Sequence, residues 1–151
     1  MSVLVVEDKK ALILSASSTH QRATALAAIP TARGARDNLI LAPHSVEVTL
    51  ALRELGYDAP SPILHYYDWP GRFKPMAHQK DTAAFLTMHK KGLVLNGMGT
   101  GKTQAALWAA HYLKRVGLVK RVLIVSPLST LESVWGNAIF SSLIDCTYSV
   151  L

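Results

Sequence analysis

The octet Asn96-Gly97-Met98-Gly99-Thr100-Gly101-Lys102-Thr103 holds, in sequence, the groups that handle a polyphosphate. Its glycines let successive backbone amides turn inward on an anion. A helix starting at Lys102 adds unpaired N–H groups and the positive end of its dipole. At this spacing the Lys102 ammonium reaches the β- and γ-phosphates of a nucleoside triphosphate, and the Thr103 hydroxyl is placed to ligand Mg²⁺. The octet follows G-x-x-x-x-G-K-[ST] except at its first position, where Asn96 stands for glycine. Asn tolerates positive φ better than most residues, so the turn survives the exchange. A turn that only joined a strand to a helix would have no use for Lys-Thr at this place.

Two elements must hold the octet. Leu93-Val94-Leu95 leads in as a buried strand, and an apolar helix from Lys102 to about Val116 leads out, closed by Gly117. This helix is apolar nearly all round, which predicts that it is buried. Arg121-Val122-Leu123-Ile124-Val125 reads as the next strand, continuous in its apolar character as a central parallel strand is. Ser129 or Thr130 caps a further helix to about Ile139, and Tyr148-Ser149-Val150-Leu151 reads as the start of another strand. Ahead of the octet a helix runs from Pro75 to about His89, with Ala77, Ala84, Phe85 and Met88 on one face and Gly92 at its end. Residues 76–151 therefore read as an α/β phosphate-loop domain, a parallel sheet with flanking helices that is incomplete in this chain.

Residues 1–58 read as a small α/β module placed before it. Val3–Val6 and Ala11–Leu14 are two short strands joined by Glu7-Asp8-Lys9-Lys10 as a hairpin. Ser17 or Ser18 caps a helix through about Ala28, which Pro30 ends. Leu39-Ile40-Leu41 is a third strand. Ser45 caps a second helix, with Val48, Ala51, Leu52 and Leu55 on one face and Gly56 at its C-terminal end. Residues 59–75 form a linker that carries Pro60, Pro62, Pro70 and Pro75 among Tyr66, Tyr67, Trp69 and Phe73. So many exposed aromatics would be costly, so this segment is expected to pack rather than float. Phe73 is the best candidate for a shelf beside a nucleotide base.

Composition narrows the classes. The 151 residues are 50% hydrophobic and 17% charged, enough for a sizeable core and too apolar for disorder. Cys146 is the sole cysteine, which excludes a disulfide framework and a zinc site built on cysteines, and points to a reducing, intracellular setting. The six histidines show no H-E-x-x-H or similar spacing, so no metal other than Mg²⁺ is expected and each reads as surface or half-buried. No basic leader precedes the first apolar residues and no run of 18 apolar residues exists, so neither a secretion signal nor a membrane span is expected. The net charge of +6 is uneven. Basic and acidic residues balance as far as Asp58. From Ala59 onward ten basic residues face Asp68, Asp81, Glu132 and Asp145. A basic surface around a phosphate loop suits a polyanion such as nucleic acid.

Gln79, the phosphate loop and Val125-Ser126-Pro127-Leu128 occur in an order that resembles the first RecA-like domain of superfamily 2 helicases and translocases, of the Swi/Snf type. Within that branch the chain is similar to the helicases encoded by tailed bacteriophages, over roughly residues 59–151. Met98-Gly99-Thr100-Gly101-Lys102-Thr103 matches the branch's first motif, whose members also tend to lack the leading glycine. They carry an acidic pair before the methionine, where this chain has Asn96-Gly97. Phe73-Lys74-Pro75-Met76-Ala77-His78-Gln79 resembles the motif that reads adenine. A Gln amide offers one donor and one acceptor, matching the adenine N6/N7 edge. Ser126-Pro127-Leu128 through Trp135 resembles a loop that lies on the nucleic-acid backbone, although Ser129 or Thr130 also serves as a helix cap.

The resemblance implies ATP on residues 97–103 with Phe73 and Gln79 at the base, Mg²⁺ on Thr103, DNA at Ser126, Pro127 and Leu128, and a C-terminal RecA-like partner domain. It also implies action in the cytoplasm of a bacterial host. Hydrolysis further needs an acid on Mg²⁺ and an arginine at the developing charge. After Thr103 the sequence offers only Glu132 and Asp145 as acids, and it has no Asp-Glu-x-His box. The chain is thus expected to bind ATP weakly and barely to turn it over, as a portion of a longer motor. The alternatives are a standalone ATP-binding adaptor without turnover and a small-molecule kinase, against which Gln79 and the Ser126-Pro127 loop argue.

Overall fold

The computed structural model describes residues 2–143 and 145–150 and divides the chain into two compact units, 1–66 and 67–151. The boundary lies between Tyr66 and Tyr67, inside the proline- and aromatic-rich stretch. The fold is mixed α/β.

Unit 1 is built on an antiparallel sheet. Strands β1 (Val3–Val6), β2 (Ala11–Ser15), β3 (Arg33–Gly34) and β4 (Leu39–Pro43) stand in the order β1-β2-β4-β3. A 3₁₀ turn at Glu7–Lys9 makes the first hairpin, and Lys10 closes it in the left-handed region at φ 47°. Alternation then fixes the faces. Leu12 pairs with Ala42 and Leu14 with Ile40, and these four point to the core, while Leu41 between them is exposed. Helices α1 (Thr19–Ala28) and α2 (Val46–Glu54) bury Ala25, Val48 and Leu52 in the same cluster, joined by Ile29 just beyond α1. Ser18 and Ser45 cap the two helices by accepting from the backbone N–H groups of Gln21 and Val48 at 3.2 and 3.4 Å. Gly56 follows α2 at φ 83°.

The unit ends in the short helix α3 (Ile63–Tyr66), whose Tyr66 hydroxyl donates to buried His44 Nδ1 at 2.9 Å. His44 Nε2 donates to the Pro60 carbonyl at 2.9 Å, which in the neutral ring leaves Nδ1 to accept from Tyr66. The histidine expected to be surface or half-buried is therefore a core residue. Burial holds its pKa below the usual histidine value, the Pro60 carbonyl opposes that shift, and His65 reinforces it.

Unit 2 is helical. Helices α4 (Ala77–Met88) and α5 (Lys102–Arg115) pack together, with Ala83, Ala84, Ala105 and Ala109 buried between larger residues. Small residues at such positions let helix axes approach closely. As its composition suggests, α5 is buried along most of its length, and Gly117 follows it at φ 81°. The aromatic segment packs rather than floats. Trp69 meets Trp108 edge-on at 5.6 Å, Tyr67 sits 5.2 Å from Trp69 and 5.7 Å from Tyr112, and the Trp108 indole donates to the Pro70 carbonyl at 2.8 Å.

Three expectations for this unit need correction. Among the described residues no parallel ladder exists, and neither residues 93–95 nor 121–125 is paired as a strand. Leu93, Leu95, Leu123 and Val125 are 77, 83, 79 and 88% exposed. An apolar run becomes a strand only when a neighbour supplies its hydrogen bonds, and here none does. Residues 148–150 are likewise unpaired, and Leu151 lies outside the described residues. The helix expected from Ser129 or Thr130 begins instead as α6 (Leu128–Thr130), with Pro127 at its cap and no side-chain cap bond. It continues through a π-helical stretch, Leu131–Gly136, into α7 (Asn137–Ser142). The Pro127 carbonyl accepts from the Thr130 N–H at 2.9 Å, which satisfies one first-turn donor without a hydroxyl.

Candidate functional site

The octet forms a turn between the open segment 93–95 and the first turn of α5. Gly99 and Gly101 adopt φ 73° and 76°, the region that favours glycine. A Cβ on Gly101 would collide with Gln79 Nε2, so position 101 must lack a side chain for Gln79 to sit where it does. The Thr100 hydroxyl donates to the Gly97 carbonyl at 2.9 Å and Asn96 Nδ2 donates to Thr82 Oγ1 at 2.9 Å, anchoring the loop to itself and to α4. Asn96 thus ties the loop to α4 through a side chain that glycine lacks. The Lys102 ammonium folds back on the loop and donates to the Asn96 and Gly97 carbonyls at 2.8 and 2.7 Å. Thr103 follows it in the same helical turn, and Met98 is 99% exposed at the loop's tip.

Gln79 is buried on the first turn of α4 and spans two sites. Its Oε1 accepts from the Met76 N–H at 3.0 Å and its Nε2 donates to the Thr100 carbonyl at 3.2 Å. His78 Nε2 donates to that same carbonyl at 3.0 Å. Gln79 also lines a cavity of about 400 Å³ with Phe73, Lys74, Met76, Gln104 and Trp108. Phe73 is 73% exposed, with the Arg72 guanidinium 5.6 Å from its ring. Gln104 was not singled out by sequence. Its Oε1 accepts from the Ser142 hydroxyl at 2.8 Å, while its Nε2 is buried with no hydrogen-bond partner in the protein. A buried amide N–H left over in a cavity wall is a donor in want of an acceptor. Its signal in the sequence was only its place, one residue after Lys102-Thr103.

Ser126, Pro127 and Leu128 lie apart from that cavity's lining. The Ser126 hydroxyl is bonded to Thr130 Oγ1 at 2.5 Å, Thr130 Oγ1 also donates to the Pro127 carbonyl at 2.8 Å, and Leu128 is 79% exposed. Trp135 is half-buried.

A second cluster arose where the sequence gave no warning. His111, the other buried histidine of the chain, accepts at Nδ1 from the Tyr67 hydroxyl at 2.8 Å and donates from Nε2 to Asp145 Oδ2 at 3.2 Å. Cys146 stands beside them, half-buried. The hydrogen bond from His111 holds the Asp145 carboxyl below the usual aspartate range. Burial pushes the Cys146 thiol up, and the Asp145 charge adds to that, while Lys114 pulls the other way. Burial also raises the Tyr67 phenol. The expectation that each histidine is surface or half-buried fails here too: a helix apolar nearly all round leaves any polar residue on it no route to solvent.

No helix among the described residues is long and apolar enough to cross a membrane. No protein-family model, curated protein or solved structure matches the chain.

Proposed function

We propose that the chain is the ATP-binding portion of an ATP-dependent DNA helicase or translocase of the Swi/Snf type, with a phosphate-loop, RecA-like organisation. One observation carries the reading. Gln79 lines the cavity beneath Phe73 and at the same time holds the carbonyl of Thr100 inside the phosphate loop. A single amide thereby links a cavity with room for a base to the loop proposed to hold the phosphates.

The residues present fit the ligand. Gly99 and Gly101 leave room for inward amides, Gln104 lines the cavity, and Lys102 and Thr103 stand at the helix start. Bound ATP with Mg²⁺ would supply the phosphoanhydride and the cation that offsets its charge. Lys102 would exchange its two carbonyl partners for phosphate oxygens, Thr103 would hold the metal, and Phe73 would stand beside the base. The basic excess after Ala59 and the exposed segment at Ser126, Pro127 and Leu128 support a DNA backbone as the polyanion. Glu132 is exposed and Asp145 is engaged by His111, which favours slow turnover by this chain alone.

Titration with a fluorescent ATP analogue tests the reading. Lys102→Ala is expected to weaken binding by tenfold or more, since a hydrogen bond to a charged group contributes about 1.5–3 kcal/mol. Gln79→Ala is expected to erase a preference for ATP over GTP. Unchanged affinity in Lys102→Ala would overturn the proposal.

A further inference from the structure

We propose that His111, Asp145 and Cys146 form a binding site for a zinc-class divalent metal ion, separate from the phosphate loop and independent of the nucleotide reading. The three side chains offer one imidazole nitrogen, one carboxylate oxygen and one sulfur, all within 4.8 Å of one another. Around tetrahedral zinc, bonds of about 2.0–2.3 Å place neighbouring ligand atoms about 3.5 Å apart. A contraction of about 1 Å therefore completes the site, and the exposed Asp145 and half-buried Cys146 have the freedom to make it.

Three further observations favour a metal over a chance meeting of polar groups. The first is the outer partner. His111 Nε2 faces Asp145 while its Nδ1 is held by the Tyr67 hydroxyl. A ligating imidazole is typically oriented by a hydrogen bond at its other nitrogen. With metal on Nε2, the Nδ1–H tautomer donates to the Tyr67 oxygen, so the same contact persists with donor and acceptor reversed. The second is the surroundings. His111 and Cys146 line a cavity of about 130 Å³ with Leu107, Ile139 and Leu143, and the charged Lys114 also stands on its wall. The apolar part of the wall strengthens the attraction between a cation and two anionic ligands, and the Lys114 ammonium also favours the Cys146 thiolate that a metal needs. The third is access. His111 and Asp145 also line a second, open cavity with Asp68 and Arg115, which gives an ion a way in and a water the fourth position.

The ligand set decides which ion. Sulfur with imidazole selects zinc or cobalt over magnesium, which prefers six oxygens. Binding releases the Cys146 proton to solvent and joins residues 145–146 to the middle of α5.

The test uses the whole 151-residue chain. Equilibrium dialysis against Zn²⁺ is expected to show one equivalent held per chain, and Co²⁺ in its place should give the near-ultraviolet sulfur-to-cobalt absorption band. Cys146→Ser should abolish that band and weaken Zn²⁺ at least about tenfold, and Asp145→Asn about tenfold. Tyr67→Phe, a positioning change, should weaken it by about tenfold while leaving the band in place. Asp145 is exposed and Cys146 half-buried, and circular dichroism of both variants is the check that they fold. Lys102→Ala should leave Zn²⁺ binding unchanged, which separates this site from the phosphate loop. Absence of the cobalt band, or Zn²⁺ affinity undiminished in both Cys146→Ser and Asp145→Asn, would overturn the proposal.

Discussion

The two units treat the same kind of sequence in opposite ways. In unit 1 the apolar strands β2 and β4 lie side by side, and Leu12, Leu14 and Ile40 are fully buried. In unit 2 the equally apolar segments 93–95 and 121–125 have no ladder among the described residues, and their leucines stand open. Hydrophobicity is alike in the two. What differs is supply of hydrogen-bonding neighbours. A four-residue turn, Glu7–Lys10, brings β1 to β2, whereas parallel strands need a long crossover connection before they can pair. Unit 1 thus behaves as a finished structural object. Unit 2 spends its order on helices and on the loop between them.

The contrast can be broken most directly with paired truncations. Leu12→Ala in unit 1 is expected to destabilise by about 2–5 kcal/mol in chemical denaturation, the range for deleting a buried leucine. Val125→Ala in unit 2 should cost less than about 0.5 kcal/mol, as exposed positions do. A large effect at Val125 would mean that this segment is packed in solution and that the two units are alike after all.

A smaller effect separates the units by pH. His44 belongs to unit 1 and is held neutral by burial, with Tyr66 and His65 facing it and the Pro60 carbonyl as its acceptor. Its folded pKa lies below the unfolded value of about 6.5, so the unfolded chain takes the proton first. The stability this gives unit 1 is complete above pH about 6.5 and is lost as pH falls through the folded pKa. Urea midpoints followed by tyrosine fluorescence between neutral and mildly acid pH check this, and His44→Gln should flatten the dependence.

The smallest effect sharpens the comparison at the helix starts. Ser45→Ala should destabilise unit 1 by about 1 kcal/mol, seen as a lowered melting temperature. Ser129→Ala in unit 2 should do nothing, because α6 is capped by Pro127 and no hydroxyl bonds its first turn as a cap.

What could be read from the sequence follows the range of the forces involved. The Glu7–Lys10 turn, the Ser18 and Ser45 caps, the burial of α5 and the glycine conformations of the octet all depend on residues within a few positions of each other. Capping and periodicity report such things directly. The fate of residues 93–95 and 121–125 depended on neighbours that no local pattern specifies. The π-helical turn at Leu131–Gly136 left no mark in composition. His111 and Cys146 lie 35 positions apart, and no fixed spacing joins a helix centre to a remote Asp-Cys pair. A histidine inside a helix otherwise apolar all round was the available hint. For the loop, sequence singled out Lys102, Thr103 and Gln79 as candidates, but the bond from Gln79 to Thr100 and the unpartnered buried amide nitrogen of Gln104 depended on how α4 and α5 pack.

The two carbonyls that grip Lys102 Nζ have one more consequence. On the nucleotide-binding proposal they would act as a built-in decoy. An arriving anion would have to evict them rather than simply occupy an idle charge, so its capture would be a swap of partners. Lone phosphate, able to satisfy the ammonium but little else, should then compete poorly. A longer polyphosphate that also reached the amides beyond would win the swap, and the loop would screen its visitors by reach.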